Sequence, residues 1–521
     1  MHIPFSHSVY NTKNKRIGIK LCSFYNAILL IGLEEFMRRL LFIFTGVLLL
    51  LTGCHAHEKK SSETAEIPTI QICTYKKMDI DFPDSQMVID QINDYIEPLI
   101  HAQIEVTFLA DTFYTSRIHQ ILDSSQQLDL FLLSNGNELR QLYKDGTLSP
   151  LNDLLTQYAP DLISTVGEEY MQGGYDASTQ EYYAVPTCRD YSLRPGLEYR
   201  SDLAEQYHLD MENVHTLSDL TEIFASLKEQ NPLIYPLAPN SIYRNWDMLG
   251  DGLGVLMYDR MDTTVVNLYE TEEYQQYLAL LRDWNLKGYL YDTSDNPGSN
   301  AYYLKSGSVF SCFANGKPGF TVQERRDLNC PIGFTALEKD SISTDRIACW
   351  MWAVPHSSGY KKEAIQFLNL LYHDKNLVNL WTYGIEGIHY QILDEEKGTI
   401  GFPENVDFSN SGYPLFTEFA SGNQYLAHIW VGNPPAIWEE MKEFNDNAIR
   451  SRAFGFHYDD AAVKSEVIAC KAVVRKYKNG FLHGIYDLDT VLPEFIQKLK
   501  KAGIDRIIAE KQRQLDDWLA G

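Results

Sequence analysis

Tryptophan, tyrosine, asparagine and aspartate recur in short mixed groups along this 521-residue chain. Such groups suit one kind of chemistry. An aromatic face can cover the apolar C–H surface of a sugar ring, while planar amides, carboxylates and guanidinium groups bond its hydroxyls. Four groups have this mixture: Arg189-Asp190-Tyr191 after Thr187-Cys188, Asn245-Trp246-Asp247, Trp350-Met351-Trp352, and Gly422-Asn423-Gln424-Tyr425 with Trp430 beyond. If Trp350–Trp352 is a strand, alternation puts both indoles on one face and Met351 on the other. Tyr75, Lys76, Asn135 and Asn137 stand at the ends of apolar runs that read as strands, where α/β sheets place ligands. Each group also has a structural reading. The tryptophans can be core, Arg189 and Asp190 can pair with each other, and Asn423 and Gln424 can satisfy buried backbone.

Catalytic signatures are missing from the sequence. There is no HExxH, no GxSxG and no phosphate-binding GxxxxGK[ST]. Asp292–Tyr303 begins like a calcium loop, but its twelfth position is tyrosine instead of the chelating glutamate. Asp247/Asp251 and Glu439/Glu440 could be imagined as a glycosidase acid and nucleophile. With 70 acidic residues such pairs arise freely, and Glu439/Glu440 read as the solvated face of a helix. No cofactor is expected.

The elements that would position these groups follow from periodicity. Ile70–Tyr75 reads as a strand and Asp84–Ile100 as a helix with Ile89, Ile92, Ile96 and Leu99 on its apolar face. Ile104–Leu109 is a second strand, Thr112–Ser125 a second helix and Leu128–Leu133 a third, wholly apolar strand. That alternation predicts a mainly parallel sheet covered on both faces, an α/β lobe. Gly136–Gly174 is helical and turn-rich, and Tyr182–Pro186 is a short strand. Helices are expected at Leu217–Gln230, Glu272–Leu286, Lys361–Tyr372 and Asp460–Lys478, the last capped by Asp459 or Asp460 and ended by Gly480. Ala348–Val354 reads as a strand and Ile504–Leu519 as a closing amphipathic helix.

Charge narrows the partners. The formal net charge is −25, and removing residues 1–53, with six basic and two acidic side chains, takes it to −29. That surface repels phosphate backbones and anionic headgroups, so nucleic acid is not an expected partner. Six cysteines beyond residue 54 are widely spaced, with no zinc pattern. Buried free thiols are expected, and Cys312 with Cys330 is the pair worth testing for a disulfide.

The amino-terminal end has its own logic. Met37-Arg38-Arg39 precedes the 12-residue apolar run Leu40–Leu51, too short to span a bilayer, and then Leu51-Thr52-Gly53-Cys54. This tetrapeptide resembles the bacterial lipobox, which implies a diacylglycerol on Cys54 and cleavage before it. A two-chain anchor holds where one acyl chain is marginal. Residues 1–36 then read as an upstream extension, 37–53 as a signal peptide and 54–67 as a flexible tether.

The order of later motifs resembles family 1 extracellular solute-binding proteins of bacterial ABC importers, in a Gram-positive lipoprotein subgroup. The resemblance rests on Asp145–Leu155 (DGTLSPLNDLL), Tyr182–Thr187 (YYAVPT), Ala364–Tyr372 (AIQFLNLLY), Tyr383–Tyr390 (YGIEGIHY), Phe454-Gly455-Phe456 and Leu492-Pro493-Glu494-Phe495. It implies two α/β lobes joined by hinge strands with the solute between them. Lobe one would be residues 68–187 plus 332–390, and lobe two 188–331 plus 391–521. It also implies that the four mixed groups turn toward the cleft. The expected molecule is a monomeric lipoprotein on the outer face of the cell membrane, touching the membrane only through its lipid. It would capture a carbohydrate, in particular an oligosaccharide, and deliver it to permease subunits. The alternatives are a secreted glycan-processing enzyme and a receptor for a peptide or other non-sugar solute.

Overall fold

The structure is a computed structural model that describes residues 67–76, 81–110, 113–239, 246–258, 262–293, 299–416 and 418–520. The lipobox with Cys54 lies outside the described residues, as do the tether up to residue 66, Asn245, and residues 294–298 of the calcium-like loop. Among the described residues, no helix is long and apolar enough to cross a membrane.

The elements that matter for the site begin with β1 (Thr69–Lys76), α1 (Ser85–Ile100), β2 (Gln103–Ala110), α2 (Tyr114–Leu122), β3 (Leu130–Leu133) and α3 (Gly136–Lys144). They continue with β4 (Val185–Pro186), β5 (Arg194–Arg200), β6 (Tyr235–Ala238), α4 (Glu272–Leu286), β7 (Val309–Gly316), β8 (Ile332–Ala336) and β9 (Met351–Ala353). The chain closes through α5 (Lys361–His373), α6 (Lys464–Leu482), α7 (Leu488–Ala502) and α8 (Ile504–Ala520).

Two sheets organise two lobes. The first has the order β2-β1-β3-β9-β4, with β1 parallel to β2 and β3, and β9 antiparallel to β3 and β4. All four residues of β3 are buried, as a strand covered on both faces requires. The second sheet has the order β8-β5-β7-β6, with β7 antiparallel to β5 and parallel to β6. Each sheet has its own core. Strands β1 and β3, α1 and α5 share one, while Leu197, Phe310, α4 and the three carboxy-terminal helices share the other.

Several expectations need correction. Strand β8 pairs along its length with β5, so the chain returns to the first lobe after residue 336 and not at 332. Tyr413, Leu415 and Ala420 pack in the first core, and Ile400, Phe408, Phe416 and Trp430 form a satellite core with Tyr383 and Tyr390. Residues 391–430 are thus built around the first lobe. Leu99 is exposed, because Ile100 continues the stripe of Ile92 and Ile96 at the 3.6-residue period. Tyr182–Pro186 is two short strands: Glu181–Tyr182 pairs with Tyr175–Asp176, and β4 pairs with β9. Helix α6 starts after a short turn at Ala461–Val463, and neither Asp459 nor Asp460 caps it. Gly480 lies inside α6, where a Cβ would strike the Tyr486 ring. The six described cysteines are free; Cys312 and Cys330 pack in one small core without joining.

Candidate functional site

The carboxyl ends of the first-lobe strands face the chain crossings, and β1 ends there with Tyr75. Its ring lies 4.7 Å from that of Trp350 and 6.3 Å from that of Phe419, and Trp350 lies 5.3 Å from Phe419. Tyr114, at the start of α2, closes the back of this shelf edge-on at 6.2 Å. Tyr114 is itself pinned: its hydroxyl donates to the Leu132 carbonyl at 2.6 Å and accepts from the Leu132 amide at 3.2 Å. Tyr75 is largely covered, whereas Trp350 and Phe419 are half-buried. Lys76, the next residue of β1, has its ammonium 5.5 Å from the Phe82 ring, which packs on Phe108 and Tyr413 and not on the shelf.

Trp350 and Trp352 do not share a face. Strand β9 begins at Met351, and Trp350 stands before it at φ +57°, a left-handed conformation that costs an L-residue roughly 1–2 kcal/mol. That turn breaks the alternation. Trp352 is 0% exposed, with its indole N–H donating to the Ser421 carbonyl at 2.7 Å, and it belongs to the core. Trp350 is held out by its backbone: its carbonyl accepts from the Thr187 amide and hydroxyl, both at 3.1 Å. The same hydroxyl reaches the Phe419 carbonyl at 2.7 Å, so one threonine fixes two of the three shelf residues.

Beside the shelf the crossing carries charge. Asp190 meets Lys317 at 3.3 Å and Arg346 at 3.8 Å, and the Lys317 ammonium lies 5.9 Å from the Phe419 ring. Burial alone would push the Asp190 carboxyl up. Lys317, Arg189 and Arg346 outweigh it and hold the group below the usual carboxylate range. Arg189 and Tyr191 face inward instead. The Arg189 guanidinium donates to the Asp190 and Arg346 carbonyls at 2.6 Å each, and the Tyr191 hydroxyl to the Thr187 carbonyl at 2.7 Å. Asn423 bonds the Tyr372 carbonyl and the Tyr425 amide at 3.1 Å each. Gln424 is buried, and its backbone N–H donates to the Cys188 carbonyl at 3.1 Å. These four residues shape the crossing and do not join the shelf surface.

Asn135 and Asn137 line a different part of the interlobe region, a cavity of about 460 Å³. Asn135 caps α3, its side-chain oxygen accepting from the Glu138 amide at 3.0 Å. Asn137 crosses the lobes, donating to the Gly250 carbonyl at 3.0 Å. Arg140 and Lys144 continue that wall, opposite Asp251, Tyr458 and Asp459. Arg140 donates to His457 Nδ1 at 3.0 Å, and Lys144 meets Asp459 at 2.6 Å. Burial and the neighbouring guanidinium lower the His457 imidazole to about 4, which keeps it neutral and able to accept.

Trp246 and Asp247 sit apart from both. Trp246 borders an open pocket of about 600 Å³ with Gln276, Tyr277 and Thr216, all from the second lobe. Asp247 is buried; it accepts from the Leu249 amide at 3.0 Å, and burial with the nearby Asp345 pushes its carboxyl up to about 6. Its imagined partner Asp251 is paired with Lys511 at 2.5 Å, and Glu439 and Glu440 are exposed on the Ile437–Asp446 helix. Among the described residues no cluster of acidic, histidine or cysteine side chains is arranged to hold a metal.

The mixed-group reading missed Phe419, Lys317 and the Arg140–His457 contact. Lys317 directly follows β7, so the strand-end rule that picked Tyr75 applies to it equally. Phe419 gives no such signal, because its short turn is placed by bonds from distant residues, Thr187 to its own carbonyl and Trp352 to that of Ser421.

Two sheets, an aromatic and charged crossing between them and a polar interlobe cavity define a two-lobe receptor for small molecules. The family comparison agrees. Residues 100–377, just over half of the chain, match the model for bacterial extracellular solute-binding proteins, and the chain belongs to that family. Residues 452–520 match a domain of unknown function (DUF3502). A carbohydrate ABC transporter substrate-binding protein of Streptococcus pneumoniae serotype 4 (strain ATCC BAA-334 / TIGR4) is 23% identical over 486 residues, 90% of this chain and 94% of the relative. The N-glycan transport solute binding protein (NgtS) of Streptococcus pneumoniae has the same fold, with a TM-score of 0.78 and 20% identity over 87% of this chain and 99% of that one. Its complex with Man1GlcNAc superposes at a TM-score of 0.75, again at 20% identity, over 87% of this chain and 100% of that one.

Proposed function

We propose that this chain captures a carbohydrate, an oligosaccharide in particular, between its lobes and hands it to the permease of an ABC importer. The observation that carries this reading is the Tyr75–Trp350–Phe419 shelf beside the Asp190–Lys317 pair: aromatic faces for ring C–H surface, charged polar groups for hydroxyls. The strained backbone at Trp350 fits the same role, since such conformations gather at ligand clamps. The relative named for carbohydrate transport and the NgtS complex with Man1GlcNAc favour a sugar over other solutes. Asn135 and Asn137 line the interlobe cavity, while Trp246 and Asp247 are buried in the second lobe and are not part of the surface offered to the solute. A solute that contacts both lobes only when they are closed favours closure by its differential affinity. No chemistry on the sugar is part of this reading, and no cofactor. Anchoring through a diacylated Cys54 keeps the monomeric receptor at the outer membrane face, next to its permease.

The test is a thermal-shift screen of residues 67–521, one compact unit, against glycans and peptides. A true solute at 100 times its Kd adds roughly 2.7 kcal/mol of stability. Stabilisation by a peptide with none by any glycan would sink the carbohydrate reading. For the anchor, radiolabelled palmitate incorporated by the wild type and lost in Cys54→Ala is the expected result; label retained in the variant would overturn it.

A further inference from the structure

Helix α8 carries an anomaly. Its buried stripe reads Ile504, Ile507, Lys511, Leu515, with a lysine that is 0% exposed among apolar neighbours. A charge in that position needs partners, and it has them in two loops of the second lobe. The ammonium pairs with Asp251 at 2.5 Å, donates to the Gly254 carbonyl at 3.1 Å and lies 4.6 Å from the Tyr458 ring. The adjoining side chains grip the second of these loops directly, and the first through residues 263–266, whose Val266 pairs with Val255. Gln512 accepts from the Val265 amide at 2.7 Å and donates to the Thr263 carbonyl at 3.1 Å. Gln514 accepts from the Asp459 amide at 2.9 Å and donates to its carbonyl at 2.8 Å.

Both loops reach the first lobe. Gly250 accepts from Asn137 at 3.0 Å, and its amide donates to Asp345 at the same distance. His457 joins Arg140 at 3.0 Å and the Gln172 carbonyl at 2.8 Å, and Asp459 meets Lys144 at 2.6 Å. Asn137, Arg140 and Lys144 lie on one helix, α3, and all three line the interlobe cavity.

We propose that the carboxy-terminal region 452–520 is the positioning element of the cleft. Through α8 it holds the Gly250 and His457–Asp459 loops as a clasp on α3, and the clasp sets how the two lobes sit before any solute arrives. This gives a role to the region that matches a domain of unknown function. The inference rests on the two-lobe fold and not on the solute being a sugar.

The exposed end of the clasp permits a test that spares the core. Lys144 and Asp459 are each close to half exposed, so reversing either charge leaves folding intact. Lys144→Glu and Asp459→Lys, singly and together, are compared with the wild type in the absence of solute. Interlobe distances come from pairs of spin labels placed on exposed helices of the two lobes. Each single reversal is expected to raise the fraction of wider distances on the order of two- to fivefold, and the double swap to restore the wild-type distribution. Because no solute is present, this outcome is independent of the screen above. Single variants with wild-type distances, or a double variant that stays wide, would overturn the proposal.

Discussion

The aromatic shelf and the carboxy-terminal clasp both stand where the lobes meet, yet they are built on opposite principles. The shelf is assembled from residues at or beside the ends of two strands of one sheet and a short turn packed on them, with rings in contact at 4.7 and 5.3 Å and one threonine fixing two of them. The clasp consists of polar side chains more than a hundred residues apart along the chain, joining α3 to loops held by α8. The comparison teaches that recognition surface and lobe placement can be separated in this fold. A change in the shelf should alter what is bound, and a change in the clasp should alter how the lobes sit and how stable the protein is.

The largest effects should separate two tryptophans only two residues apart. Trp352→Ala removes a fully buried indole and its bond to Ser421, and should cost about 3–5 kcal/mol in urea unfolding. Trp350→Ala should cost much less stability than that, because its ring is only half-buried and the left-handed strain is unchanged in alanine, which also carries a Cβ, while solute affinity falls roughly tenfold to a hundredfold in calorimetry. Equal losses of stability in both variants would erase the distinction between shelf and core.

Within the clasp, Lys511→Met should destabilise by about 3–5 kcal/mol, because it leaves Asp251 buried and unpaired near Asp247 and Asp345. The companion Lys511→Met/Asp251→Asn should recover a large part of that loss, since both charges are then gone. A single variant as stable as the wild type would show that the buried pair has no structural role.

The same contrast explains what could be read in advance. The parallel order of β1, β2 and β3 and the apolar face of α5 follow from local periodicity, and the helix expected at Glu272–Leu286 coincides with α4. Tyr75 was legible because strand ends in α/β sheets follow a topological rule. Trp352 was misplaced for a local reason that composition does not carry: one positive φ at Trp350 cancels the alternation on which the pairing of the indoles depended. The clasp was illegible for a different reason. Nothing in the spacing of Lys144 and Asp459, or of Asn137 and Gly250, announces a contact, since such pairs exist only after both lobes have folded. Lys511 was visible as a charge on the apolar stripe of a helix, and that conflict was the one available signal of a buried partner.

A middle-sized effect concerns pH. His457 is lowered to about 4, below the ordinary imidazole value, so the unfolded chain takes up its proton first as pH falls. Its contribution to stability is therefore complete above about 6.5 and is lost as pH drops toward 4. Asp247, raised to about 6, acts in the other direction: the folded chain takes up that proton first, so its contribution grows as pH falls from 6 toward the ordinary carboxylate range. His457→Gln should remove the first slope alone. Relative to the wild type, the variant should gain on the order of 1–3 kcal/mol between pH 6.5 and pH 4 in urea unfolding. Parallel stability curves for the two proteins would mean that the imidazole is not held neutral by burial and Arg140.

The smallest effect is the response to salt, and it distinguishes the two regions without any mutation. The Lys144–Asp459 pair is partly exposed and depends on unscreened charge, whereas the shelf works through ring contacts. Raising ionic strength from about 0.01 M to about 0.5 M shortens the screening length from roughly 30 Å to a few ångströms. Solute-free interlobe distances should then broaden slightly, in the direction expected for Lys144→Glu, and the double swap should respond as the wild type does. The Lys144→Glu variant should respond in the opposite direction, its distances narrowing, because salt then screens a repulsion from Asp459 in place of an attraction. A salt response of equal size and sign in all three proteins would place the electrostatic sensitivity elsewhere on this acidic surface and leave the clasp with only its contacts at Gly250 and His457.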